Sequence, residues 1–208
     1  MNKPVVIIVG ADKGGVGKTT VSRALLDYLK ANGIEHRAFD TEAPGGMLKR
    51  FHPDRTEIVD LTESDGQMAV FDTLGQAVTL IDIRAGLLSP TIKTLDEIGF
   101  LDPDKCTLIV LHVLGNTQTS LAEIEAVTSR LAGARYVLVG NRIGATKFDF
   151  PAGALDIPPL NVKACEAVDA ASVPFSVFAE TGASAVLGGY VKHWLTQVFG
   201  QFKVARLP

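Results

Sequence analysis

The sequence predicts a single α/β domain over residues 1–208, with a mostly parallel sheet and helices on both faces. Three observations predict it. Val5–Val9 is a run of apolar, mostly β-branched residues that leads into a glycine-rich turn and then a helical pattern. A second extended segment closes at Asp40, so strand, helix and strand fit into about forty residues, the compass of a βαβ unit with parallel strands. Cys106–Val113 is apolar almost throughout, the pattern of a strand covered by helices on both faces.

The elements follow in order. Val21, Leu25, Leu26 and Leu29 recur at helical spacing over Thr19–Ala31, and Asn32-Gly33 stops that helix. Glu35–Phe39 reads as a strand, Met47–Phe51 as a short helix and Thr56–Leu61 as a strand. Ser89-Pro90 has the form of an N-cap followed by Pro at the first helical position, with the helix over Thr91–Ile98. After the apolar strand, Asn116 or Thr117 opens a helix to Leu131 with Leu121, Ile124 and Val127 on one side. Arg135–Val139 is a strand ending in Gly140-Asn141-Arg142. Leu155–Ile157 is a short edge strand, Val162–Ala171 a helix, and Val173–Val177 an extended piece. The final helix is expected over Thr181–Phe199, with Gly200 interrupting it.

Residues 10–20 carry the chemistry. Gly14, Gly15 and Gly17 let the backbone of Gly14-Gly15-Val16-Gly17-Lys18-Thr19-Thr20 curl so that successive N–H groups point at an anion, and the following helix adds its positive dipole end. In such a phosphate loop Lys18 reaches the β- and γ-phosphates of a nucleotide and the Thr19 hydroxyl sits on Mg²⁺. The general pattern places a glycine at position 12, where this chain has Asp12; what fits is K-G-G-V-G-K-T, with a second lysine at Lys13. Acids at the carboxyl ends of strands lie on the ligand-binding edge of such a sheet, which brings in Asp40 and Glu42. A P-loop NTPase also needs an acid near the metal. Asp72 and Asp82 compete for that place. Asp82 is preferred because Val78, Leu80 and Ile81 make the stronger strand, whereas Met68, Phe71 and Leu74 fit an amphipathic helix.

The motif at 12–20 resembles the deviant phosphate loop of the ParA/MinD family of ATPases, with weaker echoes over most of the chain. The resemblance implies a single-domain P-loop NTPase that uses ATP and Mg²⁺. In that family the early lysine, here Lys13, reaches across a dimer interface to the partner's nucleotide. The second strand ends in D-x-D, here Asp40 and Glu42, and the second acid positions the attacking water. The D-x-x-A-G sequence at Asp82–Gly86 resembles the second switch loop, so Gly86 is expected to lend a backbone N–H to the γ-phosphate when that loop closes. Asn141, followed by the basic Arg142, matches the strand end that contacts adenine. Thr19 and Asp82 are the expected metal residues.

The remaining composition narrows the classes. With 47% hydrophobic and 21% charged residues the chain is ordinary for a soluble globular protein. A formal net charge of −3 supplies no overall basic field for nucleic acid or anionic membrane. Arg130, Arg135, Lys192 and Lys203 are scattered candidates for a local DNA-binding patch. Two cysteines, Cys106 and Cys165, form no metal or disulfide motif, and His112 reads as a core or strand-end histidine. The absence of a secretory signal or an eighteen-residue apolar run leads to the expectation of a cytoplasmic location. Lys203 and Arg206 give the C-terminal helix too little charge for a membrane anchor.

The function expected from these residues is an ATP-binding, slowly hydrolysing switch. It forms an ATP-dependent homodimer that positions or partitions DNA or another cargo, with an adaptor protein stimulating hydrolysis. Two alternatives stand beside it: an ATP-dependent ligase of the dethiobiotin synthetase type, and a module that binds nucleotide only to assemble.

Overall fold

β-branched and aliphatic runs alternate with amphipathic stretches along the chain, and each run becomes a parallel strand. The computed structural model describes residues 3–129, 131, 133–144 and 147–208. Among these, the strands are β1 (Val5–Gly10), β2 (His36–Asp40), β3 (Thr56–Ile58), β4 (Val78–Asp82), β5 (Thr107–Leu114), β6 (Arg135–Asn141) and β7 (Leu155–Ile157). The helices are α1 (Lys18–Ala31), α2 (Met47–Phe51), α3 (Ser64–Phe71), α4 (Leu88–Glu97), α5 (Gln118–Thr128), α6 (Val162–Ala171), α7 (Phe175–Thr181) and α8 (Ala185–Val204).

The strands form one sheet in the order β3-β2-β4-β1-β5-β6-β7, and every pairing is parallel. The period of two along β1 sorts its side chains to two cores. Ile7 and Val9 meet α1 and α6 to α8, together with Leu25, Leu80, Leu111 and Trp194. Val6 and Ile8 meet α3 to α5, together with Phe39, Ile81, Ile92 and Val127. Register then positions the site. Val9 lies beside Asp82, and Asp82 beside Asp40, so β1, β2 and β4 end level with one another.

The helical spacing of Met68 and Phe71 is met by α3, and the exposed Asp72 follows that helix, which leaves Asp82 as the acid at a central strand end. Several other local expectations are corrected. Ser89 does not cap α4. The helix begins at Leu88, because the Ser89 hydroxyl and N–H both bond to Asp12. Pro90 therefore takes the third helical position, where no intrahelical donor is lost. β3 stops at Ile58 instead of Leu61, and Thr117 is the residue that precedes α5. Val173–Val177 is not extended throughout; Pro174 ends the extended part and Phe175 opens α7. Gly200 does not interrupt the last helix, which runs on to Val204, because Tyr28 packs edge-on against Phe199 and Phe202 on either side of it. No helix among the described residues is long and apolar enough to cross a membrane.

Candidate functional site

The loop between β1 and α1 takes its shape from two glycines in the left-handed region, Gly15 at φ 74° and Gly17 at φ 86°. Gly17 also has no room for a side chain, since a Cβ there would lie 2.0 Å from Asn141 Nδ2. That same Nδ2 donates to the Val16 carbonyl at 2.9 Å. The Val16 side chain is buried in the α1-side core, so this residue serves the loop through its backbone.

Lys18 and Thr19 open α1 at the floor of a cleft of about 360 Å³. Lys18 Nζ donates to the Lys13 carbonyl at 3.2 Å, and burial lowers its pKa. Thr19 Oγ1 donates to Asp82 Oδ2 at 2.8 Å, and Ser22 Oγ donates to Asp82 Oδ1 at 2.8 Å. Burial raises the Asp82 carboxyl to about 7 against the pull of these two hydroxyls, and the nearby Asp40 adds to the rise. Gly14, Gly15, Gly17, Thr20, Asp40 and Glu42 line the same cleft.

The two acids after β2 are placed differently. Asp40 is buried, and its oxygens accept backbone N–H groups from Glu42 at 2.9 Å, Leu48 at 2.6 Å and Lys49 at 3.1 Å. It shapes the turn and holds the start of α2. Glu42 is exposed at the cleft. Arg84 also lines the cleft, its N–H held by Thr41 Oγ1 at 2.8 Å.

The other predicted residues lie around this cleft rather than in it. Lys13 Nζ donates to Thr117 Oγ1 at 2.8 Å and to Thr119 Oγ1, within its own chain. The Gly86 N–H, expected at a phosphate, donates to the Asp12 carbonyl at 2.8 Å in this conformation. Asn141, expected at adenine, is buried against the loop as described. Arg142 forms a two-pronged ion pair with Asp156 at 2.6 and 2.9 Å, and that bond raises its pKa. For the DNA-binding candidates, Arg135 is tied to the Ala205 and Arg206 carbonyls. Lys192 and Lys203 are exposed on α8 at a spacing that puts them on one face. Arg130 lies outside the described residues.

Three contributors escape a local reading of the sequence. Glu123 Oε2 on α5 accepts the backbone N–H groups of Asp12 at 3.0 Å and Lys13 at 3.2 Å. Behind it, His112 is buried with Nε2 3.6 Å from the same oxygen, and its Nδ1 lies 2.6 Å from the Tyr136 hydroxyl. Ser22 is the second hydroxyl on Asp82, and only its spacing of three from Thr19 hinted at it. Arg84 carried no sequence signal beyond its place after β4.

The arrangement suits a polyanion held with a hard cation. N–H groups and a partly desolvated lysine converge at a helix N-terminus. Beside them, one carboxylate and two hydroxyls supply the oxygen donors that Mg²⁺ takes. The comparisons agree at the level of fold. A MinD cell division protein of Aquifex aeolicus superposes with a TM-score of 0.54 at 13% identity, over 92% of this chain and 97% of that one. A chain of the MinC:MinD cell division protein complex from the same organism gives 0.53 at 15% identity, over 92% and 96%. A plasmid partition protein of Borrelia burgdorferi gives 0.53 at 10% identity, over 99% and 100%. The protein therefore has the fold of the P-loop ATPases, in its ParA/MinD-like form. No family model and no curated protein matches the sequence.

Proposed function

We propose that this chain is a positioning ATPase: it binds Mg-ATP, forms a face-to-face dimer in that state, and resets by slow hydrolysis. The observation that carries the reading is the Lys18, Thr19 and Asp82 constellation at the opening of α1, with the Thr19 to Asp82 bond at 2.8 Å. In this reading the N–H groups of Gly14 to Thr19 and the Lys18 ammonium hold the phosphates. Thr19, with Asp82 behind it, would hold Mg²⁺, which supplies charge neutralisation when bound. Thr20 adds a hydroxyl on the same turn. Glu42 is the acid placed to orient water, and Asp40 keeps that loop in register.

Lys13 is assigned to the partner's nucleotide, where its charge offsets the negative charge that grows on the departing phosphate, as an arginine finger does elsewhere. Its bonds to Thr117 and Thr119 are then the resting arrangement that dimerisation exchanges. Arg84 and Gly86 sit on the segment between Asp82 and α4, which is assigned as the counterpart of a switch loop, and Asn141 and Arg142 are assigned to the base by the resemblance alone. The cargo of this switch is DNA or a protein, and an adaptor that accelerates hydrolysis fits the same scheme.

Sedimentation of the protein with Mg-ATP, with and without duplex DNA, tests the reading. An ATP-dependent dimer is expected in the wild type, and Lys13→Ala should remain monomeric while still binding nucleotide. A wild type that stays monomeric under all conditions overturns the dimer switch and favours a ligase. Co-sedimentation with DNA that weakens as salt rises would identify the cargo as DNA.

A further inference from the structure

Asp12 stands where the general phosphate-loop pattern has a glycine, and the proposed function gives it no task. Every polar group of this residue is engaged. Its N–H donates to Glu123 Oε2 at 3.0 Å. Its carbonyl accepts the Gly86 N–H at 2.8 Å. Its carboxylate accepts the Ser89 N–H on Oδ1 at 3.1 Å and the Ser89 hydroxyl on Oδ2. Asp12 therefore fastens the phosphate loop to α5 on one side and to the segment between β4 and α4 on the other. A glycine at this position could make neither bond to Ser89.

That segment borders the nucleotide cleft, where Asp82, Ile83, Arg84 and Ala85 are part of the lining. Its two ends are held differently. Near β4 the Ile83 N–H donates to the Val9 carbonyl at 2.9 Å, and the Arg84 N–H donates to Thr41 Oγ1 at 2.8 Å. Further on, among the described residues, Asp12 is the hydrogen-bond partner that holds Gly86 and Ser89 from outside the segment. The carboxylate also serves α4. It supplies an acceptor and a negative charge at the first turn, where N–H groups lack intrahelical partners and the dipole favours an anion. Leu88 is buried and lies close over β1, since a Cβ on Gly10 would sit 2.7 Å from Leu88 Cδ1. The start of α4 is thereby seated directly on the root of the phosphate loop.

Gly86 is exposed, with φ at 82°, and its N–H is committed to Asp12. In the ATPase reading this segment offers a donor to the γ-phosphate. Gly86 can do so only after leaving the Asp12 carbonyl. Ser89 is three residues further along the same short segment, so its bonds to the carboxylate resist that movement.

We infer that Asp12 is a positioning residue, a clamp that keeps Gly86 to Ser89 in the resting arrangement and sets how strongly the site prefers ATP to ADP. The inference rests on the ATPase reading and adds a regulation to it. A diphosphate leaves the clamp closed, whereas a triphosphate must open it at Gly86. The cost of opening then falls on ATP alone, and a looser clamp raises the preference for ATP.

Two measurements on the full chain test this. The first is amide exchange over residues 84–92 without nucleotide, which should quicken by about tenfold or more in Ser89→Ala and in Asp12→Asn. The second is titration with Mg-ADP and with Mg-AMP-PNP, a triphosphate analogue that is not hydrolysed. Ser89→Ala should raise the preference for AMP-PNP over ADP by about threefold or more, on the order of one hydrogen bond, with ADP affinity held within about twofold. Asp12→Asn should move the preference the same way. A merely structural role would weaken both nucleotides alike. Ser89→Ala keeps the Asp12 charge, so a rise confined to Asp12→Asn would mean repulsion between that charge and the phosphates and would overturn the clamp. An unchanged or lower preference in Ser89→Ala overturns it too, as does unquickened exchange, and both leave the ATPase reading intact. A wild type that binds neither nucleotide overturns the ATPase reading and the ATP preference together, and the exchange measurement then decides the clamp by itself. Should Asp12→Asn fail to fold, as judged by circular dichroism, Ser89→Ala carries the test.

Discussion

Gly17 offers the sharpest quantitative test of the loop geometry. Gly17→Ala puts a Cβ on a residue at φ 86° and 2.0 Å from Asn141 Nδ2. The left-handed conformation costs an ordinary residue about 1–2 kcal/mol. Relieving the clash requires Asn141 to withdraw from the Val16 carbonyl, which forfeits a buried hydrogen bond and adds about 1 kcal/mol more. The sum is about 2–3 kcal/mol. Asn141→Ala alone leaves the Val16 carbonyl without its donor and should cost about 2 kcal/mol. In the double variant the clash is gone and that bond is lost only once, so the loss should fall short of the sum of the single losses by about 1 kcal/mol. Urea unfolding of the four proteins measures the cycle, and titration with a fluorescent ATP analogue shows whether nucleotide affinity falls alongside. Strictly additive losses, or a Gly17→Ala cost under about 0.5 kcal/mol, the size of an ordinary surface change, would refute the reasoning.

Further predictions concern charge and loop support. Folded Asp82 keeps its proton up to about pH 7, while the unfolded chain releases it near 3.8. The folded state therefore binds more protons across that window, and wild-type stability relative to Asp82→Asn should fall as pH rises from about 4 to 7; a flat difference in melting temperature against pH would count against a buried, unpaired carboxyl. His52 has the opposite sign. The unfolded imidazole takes its proton near 6.5 and the folded one only near 3, so wild-type stability relative to His52→Gln should fall as pH drops through that window. Differences between wild type and variant are needed because the two effects oppose each other in the parent curve. Glu123→Ala removes the acceptor of two loop N–H groups, so urea unfolding should show a loss of about 2 kcal/mol. Amide exchange at Asp12 and Lys13 should quicken in the same variant, and unchanged exchange would exclude Glu123 as their anchor.

Elements with a strong local pattern were legible in the sequence. The alternation of Val5–Val9 with the glycine turn, the helical spacing of Val21 to Leu29 and the apolar run at Cys106–Val113 each specify their element whatever surrounds them. Those patterns were enough for a mostly parallel sheet with its acids at the strand ends; that every pairing is parallel, and that β1, β2 and β4 end level and gather Lys18, Thr19, Asp40, Glu42 and Asp82 in one cleft, came from the structure. Local pattern failed where a distant residue decides. Ser89 has the form of a cap, yet Asp12, 77 positions away, claims its hydroxyl. Ser176 lies in the first turn of α7 instead of continuing an extended segment because Asp27, 149 positions away, accepts its N–H and hydroxyl. Glu123 reaches the loop from α5, more than a hundred positions away, and carries no motif of its own. Asp40 matched an acid of a family motif, but the motif does not show that three backbone N–H groups share its oxygens.

The ends of the sheet limit how copies of this molecule can meet. β3 and β7, the outermost strands, are three residues each, and β3 carries Glu57 at its centre. So short an edge offers little unpaired backbone for a neighbouring chain to extend the sheet. Self-association that buries enough surface to be stable must then be built from loops and helix flanks. Such an interface is discrete and self-limiting where strand-on-strand growth would be open-ended, and it can be made or broken by a change in a few side chains.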